Sequence, residues 1–234
     1  MTNIVVLNNQ THRNLRIKAG ASAVHGDNQR FVQVPINEVP SLVVHYPLLF
    51  SKDSETGAFF LGAMLGFDQG ENLFLSEDGK GQDSYRPLNL QRMPFYVSGS
   101  DLAIDLDHSR VSASEGEPLF KDDGEPTPYL QGVVSAFREL RPGFEMTKVF
   151  IETLMKHKLI ESVVVDVAFD DGTKRQLNGL YTIDRTVLKD LPDAVVVDLF
   201  RRGYLGLIYA MIASLKQIPV LAQKKNRRLH DSSK

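Results

Sequence analysis

The sequence predicts an α+β fold, with a mixed or antiparallel sheet in the front half and helices plus a β-hairpin in the back half. Three observations support this class. Short runs of β-branched residues, each bounded by turn formers, occupy the chain up to about residue 110. Apolar residues recur at helical spacing after Thr127 and Pro128. A later Asp171-Gly172 pair separates two β-rich runs, as in a hairpin.

The front half is predicted to be mainly strands. "NIVVL" and "RFVQVPI" are short and β-branched, and "MPFYVSGSDLAIDLD" predicts two strands around Gly99. Pro47 interrupts "LVVHYPLLF", which indicates an edge strand or a strand end.

The next front segments are less uniform. "ENLFLSEDGKG" predicts a strand that ends in an Asp-Gly turn. "FFLGAMLG" fits either a strand or a short helix. We expect Phe59, Phe60, Leu65 and Phe74 to be largely buried, because they supply apolar area to a β-rich core.

The back half begins with a helix capped by Thr127, with Pro128 at its first position. Pro142-Gly143 is expected to stop this helix before a second one, "FEMTKVFIETLMKHKLI". The predicted hairpin pairs strands near Val163–Phe169 and Arg175–Tyr181.

Three further helices are predicted after the hairpin. "DRTVLKDL" gives a short helix and "DAVVVDLFRRG" a helix that ends at Gly203. "YLGLIYAMIASLKQ" is strongly apolar and is expected to be mostly buried. We expect one domain over residues 1–234, with a β-rich subdomain at 1–110 and a helix-rich subdomain at 125–225.

Composition excludes several function classes. The 234 residues carry a formal net charge of −2, so we expect no nucleic-acid partner. The absence of Cys excludes disulfides, thiolate nucleophiles and Cys-ligated metals. We see no signal peptide at the start. The apolar run from Tyr204 to Leu215 is shorter than the roughly 17 residues needed to span a bilayer. A soluble, cytoplasmic protein without a membrane span is expected.

Candidate metal or acid–base residues are few. Asp105, Asp107 and His108 form an acidic cluster, and on a strand the two aspartates would share one face. The cluster could hold a hard cation or form an acid–base pair, although a solvent-facing strand has the same pattern. His25-Gly26-Asp27 matches half of an iron facial triad, but such loop triplets arise easily by chance. No phosphate-binding glycine loop or GxSxG motif occurs.

The order of several segments resembles the bacterial SapC family over nearly the whole chain. The segments that carry the resemblance are "HYPLLF", "FFLGAMLGF", "LQRMPFYV", "LAIDLDHS", "GEPLFKDDGEPTPYL", "LNGLYTID" and "LFRRGYLGLIYAMIASL". The family pattern has a Trp and a double Arg before Tyr-Pro-Phe. This chain reads "YRPLNLQRMPF" instead, with Arg92 at the second Arg position and no Trp.

The resemblance implies a soluble bacterial protein without an established activity, whose gene often lies near genes for outer-membrane receptors and oxidative enzymes. It favours a non-catalytic or accessory binding protein for a small molecule or a neighbour-encoded protein. An enzyme, metal-assisted or not, and a cell-envelope or surface-layer assembly factor remain alternatives. The sequence identifies no cofactor.

If a ligand pocket exists, we expect His45, Tyr46, Tyr85 and Arg92 to line it. Arg92 lies in an otherwise apolar segment, and a partly buried arginine needs a carboxylate or a bound anion. The basic C-terminal segment "QKKNRRLHDSSK" is interpreted as a solvated tail.

Overall fold

The computed structural model describes residues 3–76, 78–79, 81–82 and 84–232. Within this part the α+β class is confirmed, because antiparallel sheets and helices are both extensive. The strands are β1 (Ile4–Val6), β2 (Arg16–Ile17), β3 (Phe31–Gln33), β4 (Leu48–Lys52), β5 (Phe59–Met64), β6 (Phe95–Ser98), β7 (Asp101–Asp105), β8 (Val111–Ser112), β9 (Glu117–Pro118), β10 (Ile160–Ala168) and β11 (Lys174–Ile183). The helices are α1 (Val39–Leu42), α2 (Leu88–Gln91), α3 (Pro128–Lys156), α4 (Arg185–Lys189), α5 (Asp193–Arg201), α6 (Tyr204–Ser214) and α7 (Gln217–Ser232).

The chain divides into two compact units, each built from two separate segments. Unit 1 comprises Met1–Asn28 and Leu75–Arg141, and unit 2 comprises Gln29–Phe74 and Pro142–Lys234. Each unit therefore combines residues from the front and the back of the chain, and each has its own sheets.

Unit 1 contains two small antiparallel sheets, with strand orders β1-β7-β6 and β8-β2-β9. β6 and β7 are the two strands predicted around Gly99, and they pair antiparallel; Gly99 has a φ of +63°, which favours glycine. The core of unit 1 joins strand residues to the first turns of α3. Its buried members are Ile17, Phe95, Ile104, Leu119, Leu130 and Val133.

Unit 2 contains a five-stranded antiparallel sheet of order β10-β11-β4-β5-β3. The hairpin prediction is confirmed: β10 and β11 pair across the turn at Asp171-Gly172. β4 begins directly after Pro47, so the predicted strand end is correct. The predicted edge position is wrong, because β4 lies between β11 and β5. Pro47 precedes the strand and therefore removes no donor from the ladder.

The apolar glycine-rich stretch of unit 2 forms β5 and the loop after it. Leu65 and Phe74 are buried as predicted, but Phe59 and Phe60 are only half-buried. No strand forms at 71–76 in the described part of the "ENLFL" segment; Leu75 makes a single bridge to Gln82. Glu77, Lys80 and Asp83 of this segment lie outside the described residues.

Helix α3 begins at Pro128 as predicted, and the Thr127 Oγ1 accepts from the Leu130 N–H at 3.3 Å. It does not end at Pro142-Gly143, so the prediction of two helices is wrong. An interior proline costs a helix about 3 kcal/mol, yet α3 is continuous here, with the buried Leu140 before Pro142 and the buried Phe150 after it. A Cβ at Gly143 would lie 2.1 Å from the Asn37 Oδ1, so the glycine serves close packing here.

Helix α6 is strongly apolar, but the prediction that it is mostly buried is wrong. Only Ile208, Met211 and Ser214 of its residues are buried, and Tyr209 is 57% exposed. The helical stretch Tyr204–Asp231, which includes the turn between α6 and α7, is long and apolar enough to cross a membrane, with a mean hydropathy of 1.6 in its best window. Core helices of soluble proteins pass the same test, so this feature alone assigns no location.

Helix α7 contains residues 223–232 of the basic segment, and residues 233–234 lie outside the described part of the chain; the prediction of a solvated tail is wrong for the helical part. The Lys225 ammonium contacts the carboxylates of Asp68 at 2.8 Å and Glu71 at 2.5 Å. The Glu71 Oε2 also accepts from the Phe67 N–H at 2.8 Å. Asp68 accepts a further hydrogen bond from Arg175, which is the main reason that its pKa is lowered. The helix is therefore anchored to the loop after β5.

We expect Lys225→Met to lower the free energy of unfolding by about 1–2 kcal/mol, since it leaves two partly buried carboxylates short of a cation. Arg227→Met is the matched control, because Arg227 is exposed on the same helix and should change little. Chemical denaturation at pH 7 measures both. Because the folded-state pKa of Asp68 is lowered, its stabilisation is present at neutral pH and is lost as the pH falls through that pKa. Equal midpoints for the wild type and Lys225→Met would contradict the anchoring role.

Candidate functional site

A buried ion cluster in unit 1 consists of one carboxylate between two guanidinium groups. Asp27 and Arg110 have side chains only 1% exposed, and Arg86 is 15% exposed. The Arg110 Nη2 contacts the Asp27 Oδ2 at 2.6 Å, and the Arg86 Nη2 contacts the Asp27 Oδ1 at 2.9 Å. The Ser22 N–H donates to the same carboxylate at 2.6 Å.

Backbone carbonyls hold the two arginines in place. The Arg110 Nη1 donates to the carbonyls of Lys18 and Gly20, both at 2.8 Å. The Arg86 Nη2 donates to the Leu90 carbonyl at 2.9 Å, which ties it to α2. Each guanidinium is therefore held by the Asp27 carboxylate and by main-chain carbonyls. Because both side chains are already ordered, little side-chain entropy is lost when a ligand binds.

The cluster is incompletely satisfied. The Nε–H groups of Arg86 and Arg110 are buried and have no hydrogen-bond partner. Two guanidiniums share one carboxylate, so the ion pairs of the cluster leave one positive charge uncompensated. A buried, unpaired donor on a cation is costly, and an anion is the ligand that would remove this cost.

Both arginines line a cavity of about 340 Å³, which we call the arginine cavity. Its volume is at the lower end of the range for small-ligand sites. A face of α3 forms one wall, and a Cβ at Gly132 would meet nothing within 4 Å, so this wall opens onto free space. The lining residues are Ala19, Gly20, Arg86, Gln91, Met93, Arg110, Pro128, Tyr129, Gly132, Val133 and Ala136.

The titratable groups around Arg110 respond to burial and to its charge. The pKa of His108 is lowered first by burial and then by Arg110. The pKa of His25 is lowered by the same two causes, in the same order. Burial raises the pKa of Tyr129, which lines the cavity. At neutral pH these side chains are uncharged, and the arginines remain the cations of the site.

Comparison with known proteins identifies the family. The SapC family model matches residues 7–221, which is nearly the whole chain. The chain belongs to the SapC family. This match includes Asp27, Arg86 and Arg110, and it covers segments of both units. Searches of curated proteins and of solved structures find no significant match.

The structure places Tyr85 and Arg92 in unit 1, close in sequence to Arg86. The half-buried Arg92 donates to the Asn89 Oδ1 at 2.6 Å and to the Phe95 carbonyl at 2.8 Å. Its guanidinium lies 5.1 Å from the Tyr96 ring centroid, and burial lowers its pKa. Within the described chain no carboxylate pairs with it. The expected salt bridge of Arg92 is thus absent there, and neutral oxygens and rings take its place.

His45 and Tyr46 lie in unit 2, in the turn between α1 and β4. Tyr46 is fully buried, with its ring centroid 4.4 Å from that of Phe74. His45 is half-buried beside it, at a centroid distance of 6.0 Å. Neither residue lines the arginine cavity.

In the acidic cluster that the sequence offers for a metal, the side chains of Asp105 and His108 accept hydrogen bonds from backbone N–H groups. β7 ends at Asp105, so Asp107 lies in a turn and does not share a strand face with it. The Asp105 Oδ1 accepts from the N–H groups of Asn3 at 2.9 Å and Asp107 at 3.2 Å. The His108 Nδ1 accepts from the Arg110 N–H at 3.1 Å. Among the residues that the structure describes, no three His, Asp or Glu side chains are arranged to hold a metal ion.

Sequence reasoning missed the roles of Arg86 and Arg110 and considered Asp27 only as an iron ligand. Asp27 is 59 positions from Arg86 and 83 from Arg110, so no local spacing reveals the cluster.

Proposed function

We propose that this SapC-family protein is a non-catalytic binding protein that holds a small organic anion in the arginine cavity. The observation that carries the proposal is the pair of buried Nε–H groups without partners, on two arginines that share one carboxylate. A carboxylate matches the planar guanidinium and would compensate the excess charge.

The character of the cavity supports a small organic acid over an inorganic ion. Apolar side chains of α3 and Met93 face the same space as the arginines. Such a site combines one or two charge-assisted hydrogen bonds with contact to a short apolar body. Tyr129, kept protonated by its raised pKa, supplies a phenol that lines the cavity beside them.

Thermal-shift and calorimetric titrations with small carboxylates, phosphate and sugar acids at low ionic strength test the proposal. We expect one class of carboxylate to raise the melting temperature of the wild type. Arg86→Gln should weaken its binding at least about tenfold, since a charge-assisted bond is lost. Gly132→Leu should abolish binding, because its side chain extends into the free space of the cavity.

Two arginine variants serve as comparisons. Arg16→Gln removes a half-buried arginine of unit 1 that lies outside the arginine cavity and whose side chain donates to the Gly116 carbonyl, and it should leave affinity unchanged. Arg92→Met tests, in the same assay, the expectation from the sequence that Arg92 lines a ligand pocket. If Arg92→Met loses affinity and Arg86→Gln keeps the affinity of the wild type, the anion binds near Arg92 and not in the arginine cavity. If no anion in the panel stabilises the wild type, the binding proposal fails.

A further inference from the structure

Unit 2 contains a second, larger concavity of about 530 Å³, which we call the apolar groove. One face of α3 forms a wall, through Phe144, Ile151 and Met155. The half-buried rings of Phe59 and Phe60 on β5 form the other. The remaining lining residues are Gln33, Lys52, Gly57, Ala58, Thr147, Lys148 and Glu152.

The polar groups of the groove are not equally available to a ligand. The Thr147 hydroxyl donates to the Gly143 carbonyl at 2.6 Å and accepts from the Ile36 N–H at 2.7 Å, so its main bonding capacity is used. The groove also has two lysines, Lys52 and Lys148, and neither pairs with a carboxylate in the described part of the chain. With one lining glutamate, the groove has one net positive charge.

Lys52 is positioned by aromatic rings instead of by an acid. Its ammonium lies 4.7 Å from the Phe59 ring centroid and 5.1 Å from that of Tyr181. The adjacent Asp53 forms no ion pair with it in the described part of the chain; that carboxylate accepts hydrogen bonds from the Thr56 N–H and hydroxyl, both at 2.8 Å. A cation held on ring faces at the edge of an apolar surface suits a ligand with an apolar body and an anionic head.

We infer that the apolar groove binds an amphipathic carboxylate, with an aliphatic chain or ring against the phenylalanines and its carboxylate at Lys52 and Lys148. The volume accommodates a larger body than the arginine cavity does. This site is independent of the proposed function of unit 1, because its lining residues all belong to unit 2.

Calorimetric titration of the full chain with monomeric dodecanoate, and with dodecanol as its uncharged counterpart, tests the inference. We expect dodecanoate to bind more tightly than dodecanol. Lys148→Met keeps the apolar stem and removes the charge, so it should weaken dodecanoate binding by roughly three- to tenfold and leave dodecanol unchanged. Ala58→Trp should fill the groove and abolish binding of both.

A control variant shows whether dodecanoate binds in the groove or elsewhere on the protein. Lys156→Met removes an exposed lysine of α3 outside the lining set and should not change dodecanoate affinity. All lining residues of the groove belong to unit 2, so failure of the anion site in unit 1 would leave this result unaltered. The inference is overturned if dodecanoate does not bind, if Ala58→Trp binds as the wild type does, or if the protein binds only vesicles of anionic phospholipid.

Discussion

Asp27→Asn is expected to lower the free energy of unfolding by about 3–5 kcal/mol, because it removes the carboxylate of a buried ion cluster and leaves two cations behind. Asp27 and Arg110 are each 1% exposed, so water cannot replace the lost charge. The asparagine keeps the size of the side chain, which confines the change to electrostatics and hydrogen bonding. Denaturant unfolding at pH 7 measures the effect.

A matched variant and an anion titration sharpen this test. Asp122→Asn removes an exposed carboxylate of unit 1 and should change stability by less than about 0.5 kcal/mol. Added sulfate should raise the melting temperature of Asp27→Asn more than that of the wild type, since an anion can compensate the two guanidiniums that have lost their carboxylate. A variant as stable as the wild type would show that the cluster contributes no net electrostatic stabilisation.

Phe50→Ala should cost about 3–5 kcal/mol, as truncation of a fully buried phenylalanine does. Phe50 is 0% exposed and lies on the central strand β4, where it pairs with Leu61 and Tyr181 on the two neighbouring strands. The surrounding sheet is hydrogen-bonded on both sides, so it cannot collapse easily into the cavity that the change leaves.

Phe60→Ala provides the comparison within the same sheet. Phe60 is half-buried and lines the apolar groove, so its truncation should cost clearly less than that of Phe50. Urea denaturation of the two variants under identical conditions gives the difference. Equal losses would mean that Phe60 belongs to the core and that the groove is closed in solution.

The parts of the fold that could be predicted from sequence are those specified by neighbouring residues. The Asp171-Gly172 turn fixes a hairpin within about twenty positions, and Thr127-Pro128 caps a helix through its own hydroxyl. The helix end expected at Pro142-Gly143 was also predicted from neighbouring residues. The helix continues there instead, because tertiary packing outweighs the local preference. Gly143 lies against Asn37, more than 100 residues earlier in the chain, and the spacing of residues in the sequence cannot predict that contact.

The candidate site was beyond sequence reasoning for the same physical reason. The sequence does not distinguish a buried arginine from an exposed one, because burial depends on contacts between distant segments. Arg92 was chosen because its neighbours are apolar, yet its guanidinium rests on rings and carbonyls. Arg110 follows a polar turn and gives no such signal, although it is the most deeply buried cation of the cluster.

The division of each unit into two segments has a consequence for synthesis on the ribosome. All of unit 1 has been translated once residue 141 is added, whereas unit 2 then has only Gln29–Phe74. At about 5–20 residues per second, residues 142–234 take roughly 5–20 s more. Until residue 183 has been added, β4 lacks its complete neighbour β11, and Phe50 lacks Tyr181 until residue 181. The nascent chain therefore contains all of unit 1 at a time when the apolar strands of unit 2 still lack part of their sheet.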